Sequence, residues 1–393
     1  MKTKASLTLL HVLLPITLML TSCASAPASS APDSSVPDSA GTANTAAADM
    51  TTAAAAGNMK DEDVQPADAQ VGISSVEDAA ETDEVDSGAG TAGTDDTAAK
   101  ASPAESAAAS VPSDDAFDPY ALEVYDAVPD YLSERHDDVD YGTIEADVEY
   151  YSDTAGDVKY CNVLLPADYD SSQEYPVLYM FHGFGGRYDS HVHEDSILQT
   201  LYGNMLHEGL TVPMIIVGAD MYTDLLAEKD EKSDAELRPC YDKGVDDLAL
   251  DLMPFIESRY SVKKGRLYTA VTGVSQGATD SLAAGFKWQS KIGNIGSFAS
   301  CPGVIPTPYY TGTFWNTPIL EDLTVESPET MPVYIYLTVG TEDPWCIDST
   351  LYYGQVMDDK GIPNHNILVE GYDHDNDMWE LGHYNFLLRI FRN

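Results

Sequence analysis

Between residue 175 and the C-terminus the chain switches repeatedly between two hydrophobic periods. YPVLYMF (175–181) and VPMIIVG (212–218) are short unbroken apolar runs, the pattern of strands covered on both faces. VDDLALDLMPFIESRY (245–260) instead places Val245, Leu248, Leu252 and Ile256 on one helical stripe, with Asp246, Asp247 and Glu257 off it. Strand-like RLYTAVTG (266–273) is followed by the helical QGATDSLAAGFKWQ (276–289). IGSFASCP (295–302), MPVYIYLTVG (331–340), a helix around Tyr352 to Asp359, HNILVEG (365–371) and a last amphipathic helix to Phe391 complete the series. Strands alternating with helices predict an α/β fold, a mostly parallel sheet with helices on both faces.

The N-terminal third follows neither period. Residues 1–22 hold Lys2 and Lys4, the apolar run SLTLLHVLLPITLML and then LTS before Cys23, a secretory signal with a core too short to span a membrane. LTSC resembles a bacterial lipobox, which would make Cys23 the lipid-bearing first residue of a membrane-tethered extracellular protein; cleavage near Ala24 to Ala26 is the alternative. Residues 23–115 are Ala, Ser, Thr, Asp, Glu and Pro with hardly a side chain to bury, and read as a disordered acidic linker. Residues 116–393 are left as one large domain.

Charge narrows the partners. The full chain carries 65 Asp and Glu against 20 Lys and Arg, a formal net charge of −45. So acidic a body does not hold nucleic acid through its phosphates and repels strongly anionic polymers; a neutral or lightly charged substrate suits it. Cys161, Cys240, Cys301 and Cys346 in an exported chain allow one or two disulfides, and spacing does not choose the pairing. No Cys-x-x-Cys or His-Glu-x-x-His pattern supports a metal site, and no cofactor motif is present.

The chemistry concentrates around Gly273-Val-Ser275-Gln-Gly277, where a strand turns into a helix. Glycines on both sides keep bulk away from a sharp turn that lifts Ser275 to the carboxyl edge of the sheet, and the following helix aims its amide end at developing negative charge. A serine hydroxyl needs a base, and the base an orienting acid. In the chain order Ser, acid, His, the acid slot after MPVYIYLTVG holds Glu342 and Asp343, with Asp348 nearby; the histidine slot after HNILVEG holds His374. His383 lies inside the last helix, His191 and His193 precede the serine, and His182 sits in the glycine-rich HGFGG (182–186). That loop and the elbow offer the backbone N–H groups of Phe184 and Gln276 as an oxyanion hole.

From about Pro129 to the C-terminus, NVLLPADYDSSQEYPVLYMFHGFGG, DLMPFIESRYSV, GVSQGATDSL, VGTEDPW and HDNDMWELGHYNFL resemble, in order and spacing, bacterial carbohydrate esterases of the feruloyl esterase and acetyl-xylan esterase type. The resemblance implies an esterase D-like α/β-hydrolase fold and a serine triad without metal, with Ser275, Asp343 in the Gly-Thr-x-Asp stretch and His374 as its members. Many members have Met and a second Gly where this chain has Gln276 and Ala278, and Gly-Gly-His where it has Tyr372-Asp373-His374. These departures leave the triad residues in place and bear on substrate preference.

The implied activity is hydrolysis of acyl esters, feruloyl or acetyl, on plant cell-wall polysaccharide or oligosaccharide. Acyl transfer on the same triad, or carbohydrate binding without catalysis, is the alternative. PGVIPTPYYTGTFWNTP (302–318) brings Tyr309, Tyr310, Phe314 and Trp315 beside the sheet edge, either as a platform for a phenolic ring or sugar or as a packed covering loop. Trp345, just beyond the acid, is a further substrate-binding candidate, and Trp379 on the last helix is expected in the core.

Overall fold

Each apolar run becomes a strand. In the computed structural model, which describes residues 117–309 and 317–392, these are β3 (Val177–Phe181), β4 (Ile215–Ala219), β5 (Thr269–Gly273), β6 (Asn294–Phe298), β7 (Tyr334–Gly340) and β8 (His365–Val369). The leader, Cys23, the acidic linker, Tyr310, Phe314 and Trp315 lie outside the described residues. Two longer strands, β1 (Thr143–Ser152) and β2 (Asp157–Leu165), precede the series. The eight strands form one sheet in the order β1-β2-β4-β3-β5-β6-β7-β8. β2 runs antiparallel to both of its neighbours and every other pair is parallel.

The helices are α1 (Asp130–Ser133), α2 (Ile197–His207), α3 (Asp234–Asp242), α4 (Gly244–Asp247), α5 (Met253–Arg259), α6 (Gln276–Lys287), α7 (Ile347–Asp359) and α8 (Asn376–Leu387). Alternation along a strand sends successive side chains to opposite faces. On β3, Val177, Tyr179 and Phe181 join the apolar layer of α4, α5, α6 and α7, whereas Leu178 and Met180 join that of α2 and α8. Burial on both faces is why the sequences of β3 and β4 are unbroken apolar runs.

Two details depart from the expected pattern. The helical stripe of residues 245–260 is buried at Val245, Leu248, Leu252 and Ile256 as the period requires. The helix itself is α4 and α5 joined through a π turn at Leu248–Leu252. Pro254 has no N–H for the carbonyl four residues back, so regular α pairing is interrupted there. Asp247, expected off the stripe, is buried: Lys159 Nζ lies 2.7 Å from its Oδ2 and the Tyr150 hydroxyl donates to the same oxygen at 2.8 Å. The partner cation sits on β2, far away in sequence, which is why periodicity alone leaves this aspartate in solvent. Among the described residues no helix is long and apolar enough to cross a membrane.

The order of strands also sets where a site forms. The chain leaves β3 for β4 on one side and returns to β5 on the other, so the carboxyl ends of β3 and β5 open into a crevice where the loops diverge.

Candidate active site

Ser275 stands in that crevice, between the end of β5 and the first turn of α6, with φ 56° and ψ −120°. A non-glycine residue at positive φ is strained, and its neighbours show what imposes the turn. A Cβ on Gly277 would lie 2.4 Å from the His182 carbonyl oxygen and 2.6 Å from that of Phe181; one on Gly273 would lie 2.2 Å from the Gly277 carbonyl oxygen. The glycines therefore let β5, α6 and the end of β3 close around the serine. Gln276 opens α6, so its N–H has no carbonyl within the helix to bond. The Gln276 side chain is buried and donates to Asp280 Oδ1 at 3.1 Å. Burial and the neighbouring Asp242 push the Asp280 carboxyl well above its ordinary range, against the pull of Arg238.

The late aspartate and histidine meet. Asp343 follows β7, His374 follows β8, and His374 Nδ1 lies 2.7 Å from Asp343 Oδ2. Asp343 Oδ1 accepts the N–H groups of Trp345 (2.9 Å) and Cys346 (2.8 Å), so both carboxylate oxygens are committed. Burial works to raise this carboxyl; the imidazole and the two amides outweigh it and hold Asp343 below the usual range. Glu342 and Asp348, its rivals by position, are exposed. His383 is buried in α8 against the Trp379 carbonyl and Met180, its ring pushed down to about 3 by burial and by His191. His191, itself lowered to about 4, and His193 stay with the loop before α2.

A disulfide between Cys301 and Cys346 stands between the serine and this pair. Ser275 Oγ lies 3.7 Å from Cys301 Sγ, and Cys346 Sγ, a nitrogen of His374 and an oxygen of Asp343 lie within 4.8 Å of one another. Those three donors would suit a metal ion, but the sulfur is spent on Cys301 and offers no thiolate. Among the described residues Ser275 Oγ makes no hydrogen bond to His374, a contact that often tightens only with substrate present. Cys161 and Cys240 are free and buried.

The HGFGG loop after β3 lies directly against the serine: a Cβ on Gly183 would sit 3.6 Å from Ser275 Cβ. Phe184 packs edge-on against Tyr241 of α3. His182 is buried beneath the loop; its Nε2 lies 3.2 Å from the Met221 nitrogen and its Nδ1 2.7 Å from the Gly183 carbonyl oxygen. Asp220 Oδ1 lies 3.6 Å from Nε2 and also accepts the Tyr222 N–H. Burial tends to raise the Asp220 carboxyl, yet His182 and Lys159 bring it down to about 2. A lowered carboxyl contributes stability above its unfolded value near pH 4 and loses it as pH falls through the native value. Asp220→Asn is therefore expected to cost roughly 2 kcal/mol near neutrality, with the difference from wild type closing between about pH 4 and pH 2 in urea unfolding series. A difference that stays constant across that window would contradict this account.

Aromatic side chains flank the histidine. Trp345 is 67% exposed and meets the His374 ring edge-on at 5.0 Å; Trp379 meets the same ring at 5.0 Å from α8. Trp379 is thus half-buried, packed on the core and on His374 together, where the helical period alone had assigned it to the core. Tyr309 is exposed and leans edge-on against Tyr352 of α7. On the outer flank of the His374 loop, Asp130, Asp373, Asp375, Asp377 and Glu380 line a groove of about 450 Å³. Asp220 and Asp280 are not singled out by the sequence, which holds neither the contact of Trp379 with His374 nor the choice of Cys301 and Cys346 as partners, since each depends on a distant segment.

Comparison with known proteins agrees with this fold. Residues 152–379 match the family model described as "Putative esterase". The chain is similar to a CE1 ferulic acid esterase from the anaerobic fungus Anaeromyces mucronatus, solved without substrate and in complex with ferulic acid. Identity is 29%, the TM-score is 0.62, and the match covers 69% of this chain and 98% of that one. A further structure, of an FAE, is 16% identical with a TM-score of 0.50 over 69% of this chain and 96% of that one, and shares the fold. The family match spans more than half of the chain, which therefore belongs to this esterase family as an α/β-hydrolase of the feruloyl and acetyl-xylan esterase type and a carboxylic ester hydrolase.

Proposed function

We propose that the chain is a serine esterase that removes feruloyl or acetyl groups ester-linked to plant cell-wall polysaccharide or its oligosaccharides. The observation that carries the reading is the part-buried Asp343–His374 hydrogen bond, one disulfide away from a serine held in a strained strand-to-helix turn. Asp343 Oδ2 accepts the Nδ1 proton of His374, which leaves Nε2 as the base. Ser275 Oγ attacks the ester carbonyl carbon and its proton passes to Nε2. The carbonyl oxygen becomes an oxyanion facing the Gln276 and Phe184 N–H groups. As the tetrahedral intermediate collapses, the sugar hydroxyl leaves with the proton from His374. Water then attacks the acyl-enzyme with the same base, releasing the acid and restoring the serine.

The feruloyl class is favoured by the ferulic acid complex of the Anaeromyces relative and by the exposed face of Trp345 beside the histidine. Tyr309, Tyr310 and Trp315 are further acyl-binding candidates from the sequence, the last two outside the described residues. The test is product analysis of the purified chain on methyl ferulate, a feruloylated arabino-oligosaccharide, acetylated xylan and a short aryl acetate. Release of ferulate from the oligosaccharide supports the reading. Deacetylation without ferulate release moves the chain to acetyl esters, and formation of a new ester with added alcohol in place of acid marks acyl transfer. Trp345→Ala is expected to raise KM for the feruloyl oligosaccharide about five- to tenfold and to leave KM for the aryl acetate within twofold, since only the former loses a stacking face. Equal shifts on both would assign Trp345 to support of the acid turn.

The organisation that fits this role is a leader over residues 1–22, a lipid on Cys23, an acidic spacer to residue 115 and the esterase domain over 116–393, all on the outer side of a bacterial membrane. The LTSC motif motivates it. Cys23→Ala is expected to move the protein from the membrane fraction to the soluble one, and continued attachment of the variant would refute the lipid anchor.

A further inference from the structure

The loop after β6 is tied down more heavily than a surface connection needs. Ser300 O accepts the hydroxyls of Ser349 (2.6 Å) and Thr350 (3.1 Å) from α7, and Cys301 O accepts those of Thr279 from α6 (2.9 Å) and Tyr353 from α7 (3.2 Å). The Ser275 N–H donates to Phe298 O at 3.0 Å, so the end of β6 also carries the serine's own backbone. On the opposite side, the acid turn offers the Cys346 N–H to Asp343 Oδ1. Pro344 and Trp345 of that turn are exposed, and its covalent link to the serine side is the Cys301–Cys346 bond.

We infer that the Cys301–Cys346 disulfide is a positioning element of catalysis, setting the distance between Ser275 and the His374–Asp343 pair, so that ester hydrolysis requires the bond to be formed. The inference rests on the serine-esterase reading above. Bonded sulfurs sit about 2 Å apart, whereas unbonded ones need nearly the separation of any two heavy atoms in contact. Opening the bond therefore drives its two walls apart by roughly 1.5 Å. One wall carries Cys301 against Ser275 Oγ; the other carries the Cys346 amide on which Asp343 depends. A displacement of about 1 Å in such an array costs on the order of a hundredfold in rate. Reduction is balanced by a dithiol, which gives up two electrons and two protons to form two cysteine thiols and becomes a cyclic disulfide itself.

The experiment uses the full chain in three forms: Cys301→Ala/Cys346→Ala, Cys301→Ser/Cys346→Ser, and wild type reduced with dithiothreitol below its melting transition, with thiols counted. Each is assayed on a short aryl acetate and checked by far-UV circular dichroism. A lower Tm is expected whatever the role of the bond, so the readout is the split between kcat and KM. The expected result is a 10- to 100-fold fall in kcat with KM within threefold in every folded form lacking the bond, and recovery of the reduced wild type on reoxidation. Cys161→Ala/Cys240→Ala keeps the wild-type kcat as the thiol control. A kcat within threefold of wild type in any folded form shown by thiol count or sequence to lack the bond overturns the inference, as does a rise in KM at unchanged kcat. Ser275→Ala, run alongside, separates the two readings: its inactivity with a fully active cysteine pair variant refutes the disulfide role alone, and its activity refutes the serine mechanism underneath.

Discussion

Ser275→Ala is expected to lower kcat for ester hydrolysis by at least about 10⁴-fold while leaving the melting temperature of the domain within a degree or two of wild type. The size follows from the role proposed for the hydroxyl: without it no acyl-enzyme would form, and what would remain is the weak assistance of an oxyanion hole and bound water, as in serine hydrolases stripped of their nucleophile. The small effect on stability follows from the structure. Among the described residues Ser275 Oγ touches only the Cys301 sulfur at 3.7 Å as a polar partner, while the turn itself is held by main-chain bonds, Ser275 N–H to Phe298 O and Gly277 N–H to Val274 O. A fluorophosphonate probe should label the wild type once and the variant not at all. Activity of the variant within tenfold of wild type would assign the chemistry to another residue.

The second large effect is expected from Asp343→Asn, on the order of 10³- to 10⁴-fold in kcat with a nearly unchanged KM. Both carboxylate oxygens are acceptors here: Oδ1 takes two main-chain N–H groups and Oδ2 takes the histidine. An amide has one acceptor to offer. If its oxygen stays with the Trp345 and Cys346 amides, its NH₂ faces His374 Nδ1 and drives the ring proton to Nε2, where it blocks the base. If the amide flips, its NH₂ confronts two main-chain donors in a buried site. The acid also links pH to stability, because its folded carboxyl lies below the ordinary value. Its contribution is complete above the unfolded value near pH 4 and is lost as pH falls through the native one, so the stability gap between wild type and Asp343→Asn should narrow only in acid. A gap that widened on acidification would show that the carboxyl is not held ionised by its partners. Asp343→Asn with full kcat would transfer the orienting role elsewhere.

Local sequence carried much of this site because its parts are tied to local rules. Unbroken apolar runs have few alternatives to a doubly covered strand, which places β3 and β4, whereas β5 to β8 are placed by their alternation with helical stretches, β8 at the sheet edge being only partly buried. Gly273 and Gly277 flank the serine because a side chain at either position would strike main-chain atoms, and such exclusions leave a mark that a single sequence displays. The chain order of serine, acid and histidine follows from the order in which parallel strands deliver their carboxyl ends to one edge of the sheet.

What the sequence by itself determined, then, was the alternation of elements, the glycine-framed turn and the short set of acids and histidines from which a site can be made. Tertiary structure alone decided among them, since the choice depends on which groups lose water and which meet across the fold. Asp343 is enclosed and paired, whereas Glu342, one residue away, remains in solvent. Cys301 finds Cys346 because β6 and β7 are neighbours and their loops leave the sheet at the same edge; no spacing rule encodes that. Trp379 reaches His374 from α8, and Lys159 makes the burial of Asp247 tolerable from β2. Periodicity records how a residue faces its own element. Desolvation, pairing and pKa arise between elements, and they take their values only when the chain has closed upon itself.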